Sequence, residues 1–518
     1  RVIGTLVGLG FVLGGGALLF HQLRPQPVDP ASFEAKDLQL DVSGPRARAL
    51  GVLYLGLKAP EPALRAQAAE ALGQSQDTAQ WTSIASLLKD SELSVQAAAA
   101  EALGQLGAPD SQSTLLPLLE PSVPIGVRIA AAGTLARLGE ARGQDALRQL
   151  LNSTDEATKI RAALLLLDTG DLQVTPVLWA ALRRPGLPEE RTMSLLSRLA
   201  GVGDSQAQQQ LAARMAGEGF GLKRISAAGN LARTGDERAR AVLKQAAQTS
   251  GPQQPLASLM LATVGDSSGF TRFVRAAVDP SQPLEARLLA MEGVAACGRR
   301  QGAIDLVKVL DESTAPASLR QAAAGAIVRI AGGDPEQIAK QSMNWANVAL
   351  GHENWQVRES ATQVLAELDG EQAVGLLAKA LEDSQKAVRK SAATALGGKR
   401  VRTALAAPRK ALTDADPEVR QAGMMAASRV FESMGRGSVQ DQELMAGLRR
   451  LTEIGSPEDQ VIAAGTLLRM GDSSQLQRLR DGLQAPDALL RQLVVETVPS
   501  GNSLIAEALA DAALPVRF

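Results

Sequence analysis

Val388-Arg389-Lys390-Ser391-Ala392-Ala393-Thr394-Ala395-Leu396-Gly397 is the stretch that decides how this chain folds. A β-branched residue and an arginine open an alanine-rich apolar run that ends on Leu-Gly, the signature of a short helix closed by glycine. The phrase returns at Val95-Gln96-Ala97-Ala98-Ala99-Ala100-Glu101-Ala102-Leu103-Gly104 and, with its leading turn, at Asp414-Ala415-Asp416-Pro417-Glu418-Val419-Arg420-Gln421-Ala422. A fixed phrase returning at a fixed interval is the mark of a repeat array.

The arginine register falls at Arg65, Arg128, Arg161, Arg191, Arg224, Arg287, Arg320, Arg358, Arg389, Arg420 and Arg491, with Gln96, Ala257 and Gln460 filling it in three further units. Intervals run mostly from 30 to 33 residues, stretching to 38 between Arg320 and Arg358 and to 40 between Arg420 and Gln460. Gly170-Asp171, Gly203-Asp204, Gly235-Asp236, Gly265-Asp266 and Gly471-Asp472 confirm the phase. Glycine takes the left-handed position after one helix and aspartate caps the next. Asp90, Asp155, Asp383 and Asp414 each stand five residues before the Val or Ile that precedes the register position.

A unit of about 31 residues holds two helices of roughly ten to thirteen residues, and neither buries its apolar face alone. The spacing therefore predicts an all-α fold: an extended right-handed α-solenoid of about fourteen two-helix units over residues 58–500, with a C-terminal cap or tail at 501–518. At about 8–10 Å between neighbouring helices, the expected path is an arm on the order of 110–140 Å long. These segments resemble HEAT repeats, closest to the short HEAT-like repeats of phycobilisome lyases. The resemblance covers about residues 58 to 500 and is specific for fold, not for function, since such arrays serve as scaffolds, adaptors, some lyases and some nucleic-acid-binding proteins. It implies that Asp383, Arg389, Asp414 and Arg420 form a structural ladder between adjacent repeats.

Composition agrees with close stacking. The 518 residues include only 8 Phe, 4 Trp and 1 Tyr, with 45% hydrophobic residues, so a core forms with small side chains. The net charge of −1 removes the positive field of a nucleic-acid-wrapping protein. Two histidines and the single Cys297 leave little material for a metal site, a His-dependent triad or a disulfide. Cys297, in the Ala295-Ala296-Cys297-Gly298 helix end, reads as a small core residue. There is no catalytic motif and no sign of a cofactor or small-molecule substrate, so an enzyme is not expected. Bilin attachment of the lyase type is the alternative that the resemblance leaves, together with an adaptor facing the cytoplasm.

The first twenty residues form a different kind of segment. Val2 to Phe20 is uncharged, and as a helix it is roughly 28 Å long, near the ~30 Å of a bilayer core. The expectation is a membrane anchor at 1–23, a Pro-rich linker and N-terminal cap at 24–57, and repeats on the extracytoplasmic (periplasmic) side. Gly4, Gly8 and Gly15 fall within a sector of roughly 40°, a smooth strip suited to packing against another membrane helix. The expected partners are other protein subunits of a membrane complex, with no nucleic acid.

The stretched units hold the remaining candidates. Trp345 and Trp355 either anchor a partner or fill space between repeats. His352 occupies the turn register held by Asp elsewhere. Arg436 lies in Ser433–Gln440, an insertion that either reaches a partner or is a tolerated surface loop.

Overall fold

The computed structural model describes Asp37 and residues 40–75, 77–107, 111–216, 219–332, 335–399, 404, 406–434, 441–499 and 503–508. Among them, fourteen inner helices occur, one at each register position, each paired with an outer helix that precedes it. The turns obey capping chemistry. Gly203 adopts φ +87 and Gly265 φ +91, a region costly for a side chain. Asp204 then accepts from the Ala207 backbone N–H, and Asp266 from that of Ser268. Asp204 also accepts from Trp179 Nε1 at 2.9 Å, tying the preceding outer helix to the same cap. In the stretched units extra residues lengthen helices, giving 15 residues in Pro335–Ala349 and 18 in Pro417–Met434.

The chain divides into two compact units, with the boundary at Ile338/Ala339. The first unit departs from the extended arm. Its nine inner helices, Pro62–Gly73, Leu93–Leu106, Ile125–Arg137, Glu156–Asp168, Glu189–Gly201, Leu222–Arg233, Gln254–Thr263, Leu284–Cys297 and Ala317–Ile330, run in order, and the last packs back on the first. The array closes into a ring. Helix Ser43–Gly56 completes the seam by packing on Ala317–Ile330 and on outer helix Arg300–Leu310. Its Leu50, Leu53 and Tyr54 are almost fully buried, the opposite of a polar-faced cap. Residues 43–57, expected to be linker and cap, thus belong to a repeat with neighbours on both sides.

Polar contacts hold the same seam. Helix Arg300–Leu310 has no side-chain cap of its own. The Asp37 carboxylate supplies one, accepting from the backbone N–H of Arg300 at 2.8 Å and of Gln301 at 3.1 Å. Arg48 pairs with Asp311 at 2.7 Å, and Gln67 Nε2 donates to the Ser318 carbonyl at 3.2 Å. Inner helices approach closely because small residues meet. A β-carbon on Gly73 would lie 2.7 Å from the Ala102 Cα.

In the second unit, inner helices Trp355–Glu367, Lys386–Leu396, Pro417–Met434, Pro457–Arg469 and Ala488–Thr497 pack in succession. Val461, Ala464, Leu479, Val494, Val498 and Leu504 form its terminal core.

The membrane location is corrected. The segment 2–20, with Gly4, Gly8 and Gly15, lies outside the described residues, and among those described no helix is long and apolar enough to cross a membrane. The longest, Pro417–Met434, carries Glu418, Arg420, Arg429 and Glu432, charges that demand water or partners. Apolar helix Thr175–Leu182 has only 8 residues, about 12 Å of the ~30 Å required. The single-pass location with extracytoplasmic (periplasmic) repeats therefore has no support in the described fold.

Candidate functional site

Three groups of charged side chains organise the surface. The first runs between repeats. Arg358 donates to both carboxylate oxygens of Asp383 at 2.6 and 2.9 Å, and Arg389 to both of Asp414 at 2.7 and 3.0 Å. Arg420 continues to Asp459 at 2.6 Å. Each arginine also donates from Nη1 to carbonyls of its own turn: Arg389 to Asp383 and Ser384, Arg420 to Asp414 and Ala415. Asp383 and Asp414 thus each accept from two arginines, through the carboxylate from the preceding repeat and through the carbonyl from their own. Burial is the largest single influence on Asp383 and Asp414 and opposes their ionisation, but the Arg358 or Arg389 hydrogen bond, a backbone N–H and the neighbouring arginine charges together outweigh it and hold both below the usual carboxylate range. In the first unit, Arg65–Asp90 and Arg287–Glu312 make equivalent bridges.

Other register arginines depart from this pattern. Arg161 has no carboxylate at the rung spacing, since position 186, 25 residues on, is glycine. It bonds instead to Glu101, 60 residues earlier and two inner helices away. Arg224 donates to the Met215 and Gly219 carbonyls and lies over the Phe220 ring. Arg191 is exposed.

The second group lines the inner face of the ring. Arg161 reaches Glu101 at 3.1 Å across the helix bearing Gly133, while Arg329 holds Glu292 at 2.8 Å and Arg198 holds Asp168. Glu70, five residues past Arg65 as Glu292 is past Arg287, joins this face. Burial first, then the nearby Glu101 and Glu292 charges, push its carboxyl up to about 7, with Arg329 opposing.

The third group lines a groove of about 260 Å³ in the second unit, between helices Lys386–Leu396 and Pro417–Met434. Lys390, Thr394, Gln421, Met425 and Arg429 contribute to it. Glu418 at its edge accepts from Lys386 at 3.1 Å and Lys390 at 2.6 Å. Met425 remains 37% exposed, an adaptable apolar side chain framed by charges, which suits contact with another protein.

The sequence candidates do not converge on one patch. Trp345 is buried at 4% exposure and packs inside the fold, whereas Trp355, at 38%, starts helix Trp355–Glu367 at the surface. His352 Nδ1 accepts from the Asn354 backbone N–H at 3.0 Å, shaping the turn. Arg436 lies outside the described residues. Cys297 is buried, and burial pushes its thiol up to about 12, so it is inert as a nucleophile. Among the described residues no group of three or more His, Cys, Asp or Glu side chains is placed to hold a metal ion. Sequence reading missed the groove and the inner-ring charges. The one available signal for the latter was acid or small residues recurring five positions after the register.

Comparison with known proteins agrees with the architecture. Residues 51–125, 114–197 and 377–435 match HEAT repeats, so these segments carry this repeat type. The match does not single out the phycobilisome-lyase subclass. No curated protein sequence matches significantly. Among solved structures, importin beta is similar at 14% identity, with a TM-score of 0.29 over 86% of this chain and 66% of that one. Yeast importin-beta is 13% identical, with a TM-score of 0.30 over 90% and 69%. Human deoxyhypusine hydroxylase in complex with glycerol is 19% identical, with a TM-score of 0.21 over 65% and 98%. At these TM-scores the likeness carries no conclusion about this chain.

Proposed function

We propose that this chain is a non-enzymatic protein-binding scaffold, an accessory subunit that joins other proteins in a larger assembly. HEAT-repeat arrays commonly bind proteins, and segments of this chain match that repeat. The observation that carries the reading is the division of labour among charged groups. Most register arginines and turn aspartates are spent on the fold itself, and what remains available to a partner is broad surface rather than a reaction centre.

The second unit supplies the more suitable surface. Val348 at 72%, Ile454 at 67% and Leu489 at 75% exposure, together with Met425 in the charged groove, offer apolar contact spread over several repeats. Binding by many modest contacts follows, with anchors at the apolar side chains and charges on the rim. Affinity purification of the full chain, followed by identification of co-purifying proteins, tests this when repeated with Met425→Glu. A defined partner set whose recovery falls about tenfold in the variant supports the proposal. Recovery of nothing, or of the same set at unchanged yield, overturns it.

A further inference from the structure

Closing the ring brings helix Pro62–Gly73 against Ala317–Ile330, so that Gly325 lies where a β-carbon would sit 3.1 Å from that of Ala71. The same closure places Glu70 beside a pair on the far side of the seam. Glu292 and Arg329 face it there, bonded to each other at 2.8 Å. Glu101 faces it from helix Leu93–Leu106 on its own side, already engaged with Arg161 at 3.1 Å. Helix Ser43–Gly56, also packed on Pro62–Gly73, carries Arg46 and Arg48, but these are committed to Asp77 and Asp311. Helix Trp81–Ser86 brings no titratable group. Three carboxylates therefore share two guanidinium groups, each already bound to one of the other two. The hydrogen bond described for the Glu70 carboxylate comes from Gln74 Nε2 on its own helix, long at 3.4 Å.

We infer that closure of the ring at the seam between Pro62–Gly73 and Ala317–Ile330 is coupled to uptake of one proton by Glu70, so that acid favours the closed ring and alkali loosens it. The physical cause is the position of Glu70. In an opened seam it returns to water and to an ordinary glutamic-acid pKa of about 4.3. In the closed seam burial and two like charges oppose its ionisation, which is why its carboxyl rises to about 7. A group whose proton affinity is higher in the closed state favours that state below its raised pKa. The advantage declines by up to tenfold per pH unit between about 5 and 7 and is gone above that range. A rise in pH thereby frees the faces of helices Ser43–Gly56 and Ala317–Ile330 for other contacts.

Amide hydrogen exchange of the full chain, corrected for the intrinsic pH dependence of exchange, tests the coupling. Helices Ser43–Gly56 and Pro62–Gly73 report the seam, and Leu222–Arg233, within the ring but away from it, is the reference. Protection at the seam is expected to fall several-fold to tenfold relative to the reference between pH 5.5 and 7.5. Glu70→Gln is expected to stay protected throughout. Equal pH dependence of seam and reference, or dependence that survives in Glu70→Gln, overturns the inference. Should that variant fail to fold, Glu292→Gln frees Arg329 for Glu70 and is expected to move the midpoint to lower pH; an unmoved midpoint overturns it equally.

Discussion

Arg389 donates to both oxygens of the Asp414 carboxylate, at 2.7 and 3.0 Å, from exactly one repeat earlier in the stack, and both side chains are mostly buried. The same two repeats also share the more exposed pairs of Lys386 and Lys390 with Glu418, so Arg389–Asp414 is the buried member of a set. Removing the arginine leaves a desolvated carboxylate and frees the carbonyls of Asp383 and Ser384. Arg389→Ala is expected to lower the unfolding free energy of the second unit by about 2–4 kcal/mol. In urea denaturation the double variant with Asp414→Ala should lose less than the sum of the two single changes, because the two residues act as one unit.

The depressed carboxylates fix how the array responds to acid. The Arg65 hydrogen bond holds Asp90 down and the Arg287 hydrogen bond does the same for Glu312. Asp383 and Asp414 are held down despite their burial. Because the folded-state values lie below the unfolded value of about 4, this stabilisation is complete above that pH and is lost as pH falls through the folded values. Thermal unfolding of the second unit should be nearly flat from pH 8 to 5 and decline below about 4. The first unit should show, in addition, the gain on acidification from 7 to 5 that Glu70 confers.

Two glycines separate propensity from packing. Gly51 lies within helix Ser43–Gly56 with nothing within 4 Å of where a β-carbon would sit, whereas one on Gly73 would meet the Ala102 backbone at 2.7 Å. Gly51→Ala should stabilise by about 0.5–1 kcal/mol through helix propensity. Gly73→Ala should destabilise by about 1–3 kcal/mol through overpacking, both read as shifts of the thermal midpoint.

The inner helices were legible because the Val-Arg-Ala phrase combines a core residue, a rung and a stacking face in consecutive positions. So were the caps, since Gly-Asp pairs carry their own backbone geometry. The rungs were implied by the resemblance to HEAT repeats rather than read from spacing, although the structure shows a constant one: Arg65 and Asp90, Arg287 and Glu312, Arg358 and Asp383, and Arg389 and Asp414 are each separated by 25 residues. Arg161 shares the register but not the role, because Gly186 stands 25 residues on where the other rungs have an acid. Ring closure could not be read this way. It depends on a small rotation accumulated over nine repeats, to which no single residue testifies. The nearest hint was Leu50, Leu53 and Tyr54, an apolar face too large for the end of an open array.

The closed ring is the central structural claim, and a disulfide tests it most directly. In a Cys297→Ala background, Ala71→Cys and Gly325→Cys place two β-carbons about 3.1 Å apart, slightly inside the usual disulfide range and within reach of a small adjustment. Mild oxidation of the folded monomer is predicted to form an intramolecular bond between these positions, detected by mass spectrometry of the non-reduced digest. A folded, monomeric variant that keeps both thiols free under the same conditions would contradict the ring and restore the extended arm.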